Sequence, residues 1–321
     1  MAAGRGDVTG LDVLTAGEAL VLLAAQTPGA LDEVEHYRRF SAGAELNVAI
    51  GLARLGLRVG YLSRVGDDAF GRFLLATMER EGLARELVAI DPARSTGFML
   101  KSLAGGGADP AIDYYRRGSA ASAMDASDLV RAAPAGVRHV HLTGILPALS
   151  AGCRELAFAM AAAARSQGHR VSFDPNLRPR LWTSRDEMVS MLNALAAQAD
   201  VVLPGLAEGR LLTGRHSAED IAASYLELGA GAVVVKLGAE GAFCADRSGL
   251  RAHVPGVAVA RVVDTVGAGD GFAVGVVSGL LEGLALEAAV RRGNAIGARV
   301  VQFSGDSDGL PTRQELAGLA A

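Results

Sequence analysis

Short apolar runs bounded by charged or turn-forming residues recur along the chain and alternate with longer segments of helical periodicity. Residues 13–16, 59–62, 137–142, 170–173, 201–203 and 232–235 have the length and apolar density of strands buried on both faces. Residues 45–55, 70–81, 153–166, 187–197 and 218–228 place apolar side chains at three- and four-residue intervals, the mark of an amphipathic helix. Strand–helix alternation over most of a chain predicts an α/β fold with a mainly parallel central sheet covered on both faces. Two regions break the rhythm. Residues 20–24 and 35–40, and residues 97–103 and 111–116, read as extended pairs, the second joined by the Gly-rich stretch 104–109, a turn by composition. Four extended segments outside the alternating unit predict a small antiparallel β-sheet, a lid that covers a site, forms a dimer surface, or both. The expected organisation is one domain over 11–321, with lid segments at about 18–41 and 96–118 and an N-terminal extension over 1–10.

Charge and composition narrow the function. The 321 residues carry 31 Lys+Arg against 35 Asp+Glu, a formal net charge of −4, without the basic excess of a dedicated nucleic-acid binder. Half the residues are hydrophobic, which excludes a disordered chain. Two cysteines, Cys153 and Cys244, cannot build a disulfide framework or a closed zinc site. No run reaches the roughly 18 apolar residues that span a bilayer, and the first ten residues carry Arg5 and Asp7 with no apolar core. A soluble cytoplasmic protein without a membrane or nucleic-acid partner is the expectation. Only two lysines occur, Lys101 and Lys236, and neither follows the glycine that a P-loop requires, so that class of nucleotide enzyme is excluded.

The strongest chemical signal is the run 264–272, Asp-Thr-Val-Gly-Ala-Gly-Asp-Gly-Phe, which follows the apolar stretch 257–263 and opens a helical run over 272–281. The small residues Gly267, Ala268 and Gly269 let backbone N–H groups approach a ligand, and a helix N-terminus adds unpaired donors and partial positive charge. Together they suit a phosphate. Asp270 stands in that cradle, where a carboxylate would repel phosphate unless it served as general base toward an attacking hydroxyl. A dinucleotide-binding turn fits less well: the third glycine of its fingerprint falls on Phe272, and the run lies near the C-terminus instead of after the first strand.

The run 264–270 resembles the C-terminal signature of the ribokinase-like, or phosphofructokinase-B (PfkB), sugar kinases. Residues 42–49 (Ala-Gly-Ala-Glu-Leu-Asn-Val-Ala), 52–56 (Leu-Ala-Arg-Leu-Gly), 64–68 (Arg-Val-Gly-Asp-Asp), Phe70 and Gly71 are similar to the N-terminal signature, with Ala42 where the family usually has glycine. Within the family, residues 114–121 (Tyr-Tyr-Arg-Arg-Gly-Ser-Ala-Ala), 173–178 (Phe-Asp-Pro-Asn-Leu-Arg), Leu181 and Trp182 look like 2-keto-3-deoxygluconate kinases. The resemblance spans residues 12 to the C-terminus. It implies a three-layer ribokinase-like fold and transfer of the ATP γ-phosphoryl to the terminal hydroxyl of a keto-deoxy sugar acid, with Mg2+ and room for a monovalent cation. Sister activities on fructose, ribose or 5-dehydro-2-deoxygluconate, and a non-catalytic sugar-binding module of the same fold, are the alternatives. A homo-oligomer through the lid edges is expected because exposed strand edges need cover.

The resemblance also distributes roles. Asp270 is implied as base, with Gly267, Ala268 and Gly269 around the transferred phosphoryl. Gly43, Ala44, Glu45, Asn47, Tyr114, Arg116, Arg178 and Asp306 are implied on the sugar side. Asn176, Arg178, Lys236, Gly238, Gly241 and Asn294 are implied on the nucleotide side, and Glu208 near the metal through water, although Gly205 stands where the family has asparagine. Independently of family, a guanidinium can grip a carboxylate with two parallel hydrogen bonds, which suits Arg116 and Arg178; spacing alone leaves Arg116 equally open as a solvated strand arginine. Asp174 is open between organising its turn and an outer metal shell. His139 and His141 face one side of a strand without a third ligand, a structural pair. Cys153 opens a helix without a partner that would make it a nucleophile.

Overall fold

The computed structural model describes residues 10–103, 110–132 and 136–319. Its strands are β1 (Val13–Ala16), β2 (Leu20–Ala25), β3 (Tyr37–Ala42), β4 (Val59–Gly66), β5 (Val88–Asp91), β6 (Phe98–Lys101), β7 (Ile112–Tyr115), β8 (His139–Thr143), β9 (Arg170–Asp174), β10 (Val201–Val202), β11 (Ala232–Lys236), β12 (Gly241–Asp246) and β13 (Arg251–Pro255). Its helices are α1 (Ala44–Arg54), α2 (Ala69–Arg80), α3 (Leu146–Leu149), α4 (Ala151–Ser166), α5 (Arg185–Ala196), α6 (Leu206–Thr213), α7 (Ala218–Leu228), α8 (Ala268–Leu281), α9 (Leu286–Val300) and α10 (Arg313–Leu319).

Nine strands form one sheet in the order β13-β12-β11-β10-β9-β8-β1-β4-β5. The pairings from β11 to β5 are parallel, as the alternation predicts. The β11–β12–β13 edge is antiparallel, a departure from a purely parallel sheet. Successive strand residues feed opposite faces: Val201 and Val234 join the core under α1, α2, α8 and α9, whereas Val202, Val233 and Val235 join the core under α4, α5 and α7. That two-sided burial is why these strands read as continuous apolar runs. Local sequence starts several helices. Asp68, Ser150, Ser184 and Ser217 each accept a backbone N–H three residues on and cap α2, α4, α5 and α7, a contact worth about 1 kcal/mol apiece.

The second sheet has the order β3-β2-β6-β7. It pairs antiparallel at both ends, but β2 and β6, which come from the two separate hairpins, run parallel in its middle, a departure from the antiparallel sheet expected. Both halves of the predicted lid therefore meet in one layer, with β3 ending two residues beyond the expected 35–40 segment. The predicted turn over 104–109 lies outside the described residues, as does the N-terminal extension through residue 9. Among the described residues, no helix is long and apolar enough to cross a membrane.

One expected boundary moves. The helix expected from Phe272 begins four residues earlier, at Ala268. The apolar stretch 257–263 is irregular, and Val257, Val259 and Val262 line a cleft.

Candidate active site

Two clefts, each ≈ 410 Å³, meet at the N-terminus of α8 and share Lys236, Thr265 and Gly269 on their walls. The first opens between the lid and the large sheet. Lid residues Met99, Ile112, Tyr114 and Arg116 face Gly43, Asn47, Asn176, Arg178, Asp270 and Asp306 across it. The second is mainly apolar, with Val257, Val259, Val262 and Phe272 beside Gly238, Gly241 and Asn294. A polar cleft joined to an apolar slot suits a polyol on one side and a purine base on the other, with phosphates at the junction.

The junction is built by Gly267. Its φ of 82° lies in the left-handed region, which glycine adopts without the Cβ penalty. A Cβ there would also collide with the backbone oxygen of Asp306. The turn lets α8 start at Ala268 and puts Gly267 on the wall of the first cleft, Ala268 on that of the second and Gly269 on both; the Ala268 N–H donates to the Thr265 carbonyl at 3.4 Å. Asp264 secures the approach by accepting the N–H of Val266 at 3.1 Å.

Asp270 sits in the first turn of α8 and is buried. Asn47 Nδ2 donates to its Oδ2 at 2.8 Å, and Asn176 Nδ2 lies 3.4 Å from its Oδ1. Burial pushes the carboxyl up to about 7; the Asn47 hydrogen bond and Arg178 oppose this, while Asp174 and Asp306 add to it. A carboxylate poised near neutrality is matched to general-base work. Asn176 reaches it from a left-handed backbone, φ 38°, the only described non-glycine residue with positive φ. Asparagine tolerates that conformation better than most residues.

The remaining predicted residues fall as follows. Gly43, φ 129°, caps α1 and packs on the Glu18 carbonyl, where a Cβ would not fit. Ala44 and Glu45 open α1 on the cleft wall. Glu45 is fully buried, its Oε1 accepts the Thr143 hydroxyl at 2.5 Å, and burial raises its pKa above the usual carboxylate range. Tyr114 is half exposed on β7, its ring 5.6 Å from the Arg116 guanidinium carbon. Arg116 lies one residue past β7 and is not the solvated arginine that spacing allowed: it is buried, and its Nε and Nη2 meet Glu18 Oε2 at 2.6 and 2.5 Å. Arg178 lines the sugar-side cleft and donates to the Leu177 carbonyl at 2.9 Å. Asp306 is buried against that cleft, with Oδ1 lacking a hydrogen-bond partner.

On the other side, Lys236 Nζ contacts Asp174 Oδ2 at 2.7 Å. Burial lowers the ammonium pKa, but Asp174 and Glu208 outweigh it and hold it above the usual value. Asp174 also accepts the Asn176 N–H at 3.2 Å, so it organises its turn and anchors Lys236. Asn294 Nδ2 donates to the Val254 and Pro255 carbonyls at 3.2 and 2.9 Å, fixing the cleft wall. Glu208 accepts from Leu177 N at 2.8 Å and Gly205 N at 2.7 Å. Glu208 thus closes the start of α6 through the backbone N–H of residue 205, with its carboxylate still on the cleft wall. His139 and His141 both reach Ser172 Oγ, at 2.7 and 2.9 Å, and burial holds each pKa down at about 3. Burial raises the Cys153 thiol to about 11, an inert side chain.

Sequence reasoning missed Glu18, the partner of Arg116, and the role of Lys101. Lys101 ends β6 in the lid and ion-pairs with Asp264, with Asp306 Oδ1 3.8 Å away.

A buried carboxylate beside a turn of small residues, where a polar and an apolar cleft meet, suits phosphoryl transfer to an alcohol. The chain belongs to the pfkB family of carbohydrate kinases, whose family model matches residues 11–313. It is 47% identical over 308 residues to the 2-dehydro-3-deoxygluconokinase of Bacillus subtilis strain 168, covering 96% of this chain and 94% of that one. A crystal structure of a PfkB protein from Polaromonas sp. JS666 matches it with a TM-score of 0.88 at 49% identity, covering 96% of this chain and 99% of that one. The Escherichia coli ribokinase II solved with ATP and Mg2+ matches with a TM-score of 0.87 at 25% identity, over 97% and 99%. The chain is an ATP-dependent carbohydrate kinase of ribokinase-like fold.

Proposed function

We propose that the chain phosphorylates the terminal hydroxyl of 2-keto-3-deoxy-D-gluconate, giving the 6-phosphate and ADP. The observation that carries the reaction is the placement of buried Asp270 where the two clefts meet, beside the Gly267–Ala268–Gly269 amides. Asp270 takes the hydroxyl proton while the oxygen attacks the γ-phosphorus in line, and ADP leaves. The cradle amides, the α8 terminus and Arg178 stabilise the charge on the transferring group. Asn47 and Asn176 aim the base through the contacts already described.

A sugar acid suits the opposite wall. Glu18 takes the Nε–Nη2 edge of Arg116, leaving its Nη1 side for a substrate carboxylate. Tyr114 closes over the carbon chain. Similarity to a 2-dehydro-3-deoxygluconokinase supports this substrate over neutral sugars. Lys236, Gly238, Gly241 and Asn294 line the slot assigned to ATP.

Among the described residues, no group of three or more His, Cys, Asp or Glu converges as a metal cage. The donor set instead fits a hydrated magnesium carried chiefly on phosphates, with Glu208 reaching it through water. When bound there it would neutralise phosphate charge.

A coupled ADP-release assay over 2-keto-3-deoxygluconate, 5-dehydro-2-deoxygluconate, fructose and ribose tests the assignment. The keto-deoxy acid should exceed the neutral sugars in kcat/KM by roughly two orders of magnitude. Preference for fructose or ribose would overturn it, and tight sugar binding without ADP would point to a non-catalytic module.

A further inference from the structure

The lid touches the body in two chemically different ways. On one side the contact is packed and includes aromatic rings. Phe98 at the start of β6 stands 5.5 Å from Phe70 of α2 and stacks on Tyr115 at 4.7 Å. Arg39 of β3 lies over Phe73 of α2 at 4.0 Å. At the other end of the same strand the contact is ionic. Met99 and Lys101 alternate onto one buried face of β6, Met99 lining the sugar-side cleft, and Lys101 reaches Asp264 and approaches Asp306. The lysine is 5% exposed and Asp306 3%.

The two acids belong to the phosphate cradle. Asp264 shapes its first turn through the N–H of Val266. The backbone oxygen of Asp306 abuts Gly267, the residue that starts the cradle. The Lys101 ammonium therefore joins the lid to the segment proposed to hold the phosphates. Removing one partner of such a buried pair is costly, because it leaves the other charge buried and uncompensated. An apolar contact at one end of β6 and a charge pair at the other have the form of a hinge and a catch.

We propose that Lys101 is a positioning residue: a lid-borne catch whose pairing with Asp264 and Asp306 holds the cover shut over the phosphate cradle during transfer. A shut cover excludes the water that would otherwise accept the phosphoryl group. Lys101 itself touches neither reacting atom. The inference rests on reading the junction as the transfer site, but not on which sugar acid fills the cleft.

The test compares wild type, Lys101→Met and Lys101→Arg. Three readouts are taken: KM and kcat for the sugar acid, sugar-independent ATP hydrolysis to ADP and phosphate, and hydrogen–deuterium exchange of 98–101 and 112–115 without ligand. Lys101→Met should raise sugar KM roughly tenfold and the ratio of hydrolysis to transfer several-fold. It should speed exchange over both lid segments and leave exchange in α2 unchanged. Lys101→Arg, which keeps the charge, should recover most of each loss. Wild-type values for Lys101→Met in all three readouts would overturn the proposal. So would a Lys101→Arg that melts like wild type yet shows the full defect, and this variant decides if Lys101→Met fails to fold. A wild-type enzyme that releases no ADP with any sugar refutes the functional reading, while the exchange measurement still decides the catch.

Discussion

Asp270 combines two demands on one carboxyl. The proposed reaction needs it ionised, and burial resists ionisation, with Asp174 and Asp306 adding repulsion, so its pKa stands at about 7. Turnover should therefore fall as pH drops below about 7, approaching about tenfold per unit, because the base becomes protonated; a flat kcat from pH 8 to pH 5 would contradict this. Stability moves the other way. An ordinary aspartate ionises near 3.8, so between about 4 and 7 the folded state keeps a proton that the unfolded chain has lost, and stability declines as pH rises through that window. Asp270→Asn lacks this linkage. It should melt above wild type at pH 8, with a gap that narrows toward pH 4, and an equal gap at both pH values would count against the burial argument. Asp270 and its glycines were legible because their chemistry lies within nine consecutive residues. Lys101 was not. The scarcity of lysine served to exclude a P-loop, yet the same scarcity marks the site: both lysines pair with acids beside the clefts. Their partners lie 163 and 62 residues away in sequence, and no local pattern carries that information. The pairing of Arg116 with Glu18, 98 residues apart, was hidden for the same reason.

At the scale of elements, α8 shows what a single turn decides. Apolar periodicity places the helix from Phe272, because the first turn is glycine, alanine and aspartate with no amphipathic signal. The observed start at Ala268 depends on the left-handed Gly267. Gly267→Ala would meet both a disfavoured φ and the Asp306 carbonyl oxygen, so the amides would turn away from the phosphates. The expected result is an increase of about tenfold or more in KM for ATP with the fold retained, read by steady-state kinetics; unchanged ATP affinity would mean the cradle is elsewhere. The buried parallel strands were readable because both faces meet apolar layers. The β12–β13 edge was not: Gly241–Asp246 offers glycine, alanine and cysteine in place of β-branched residues, and β13 alternates with exposed Arg251 and His253. Residues 257–263 are apolar for a different reason, since their side chains line a cleft instead of a core.

Across the whole molecule, phosphoryl transfer depends on bringing together parts that the chain keeps far apart. The lid comes from the first third, the Asp174–Asn176–Arg178 turn from the middle, and the cradle from the last quarter. The large sheet brings them to one edge, because ligands of parallel sheets collect beyond the carboxyl ends of the strands. The lid was foreseeable from four extended segments that broke the alternation; its charge contact with the cradle was not. The two clefts and the Asp270 carboxylate at their meeting make one strong demand. The turnover number of Asp270→Asn on 2-keto-3-deoxygluconate, measured with ATP binding to the same preparation, tests it most directly. The account predicts a loss of about 10²–10⁴-fold in kcat with ATP affinity largely kept. Turnover near that of wild type would contradict the assignment of Asp270 as the base.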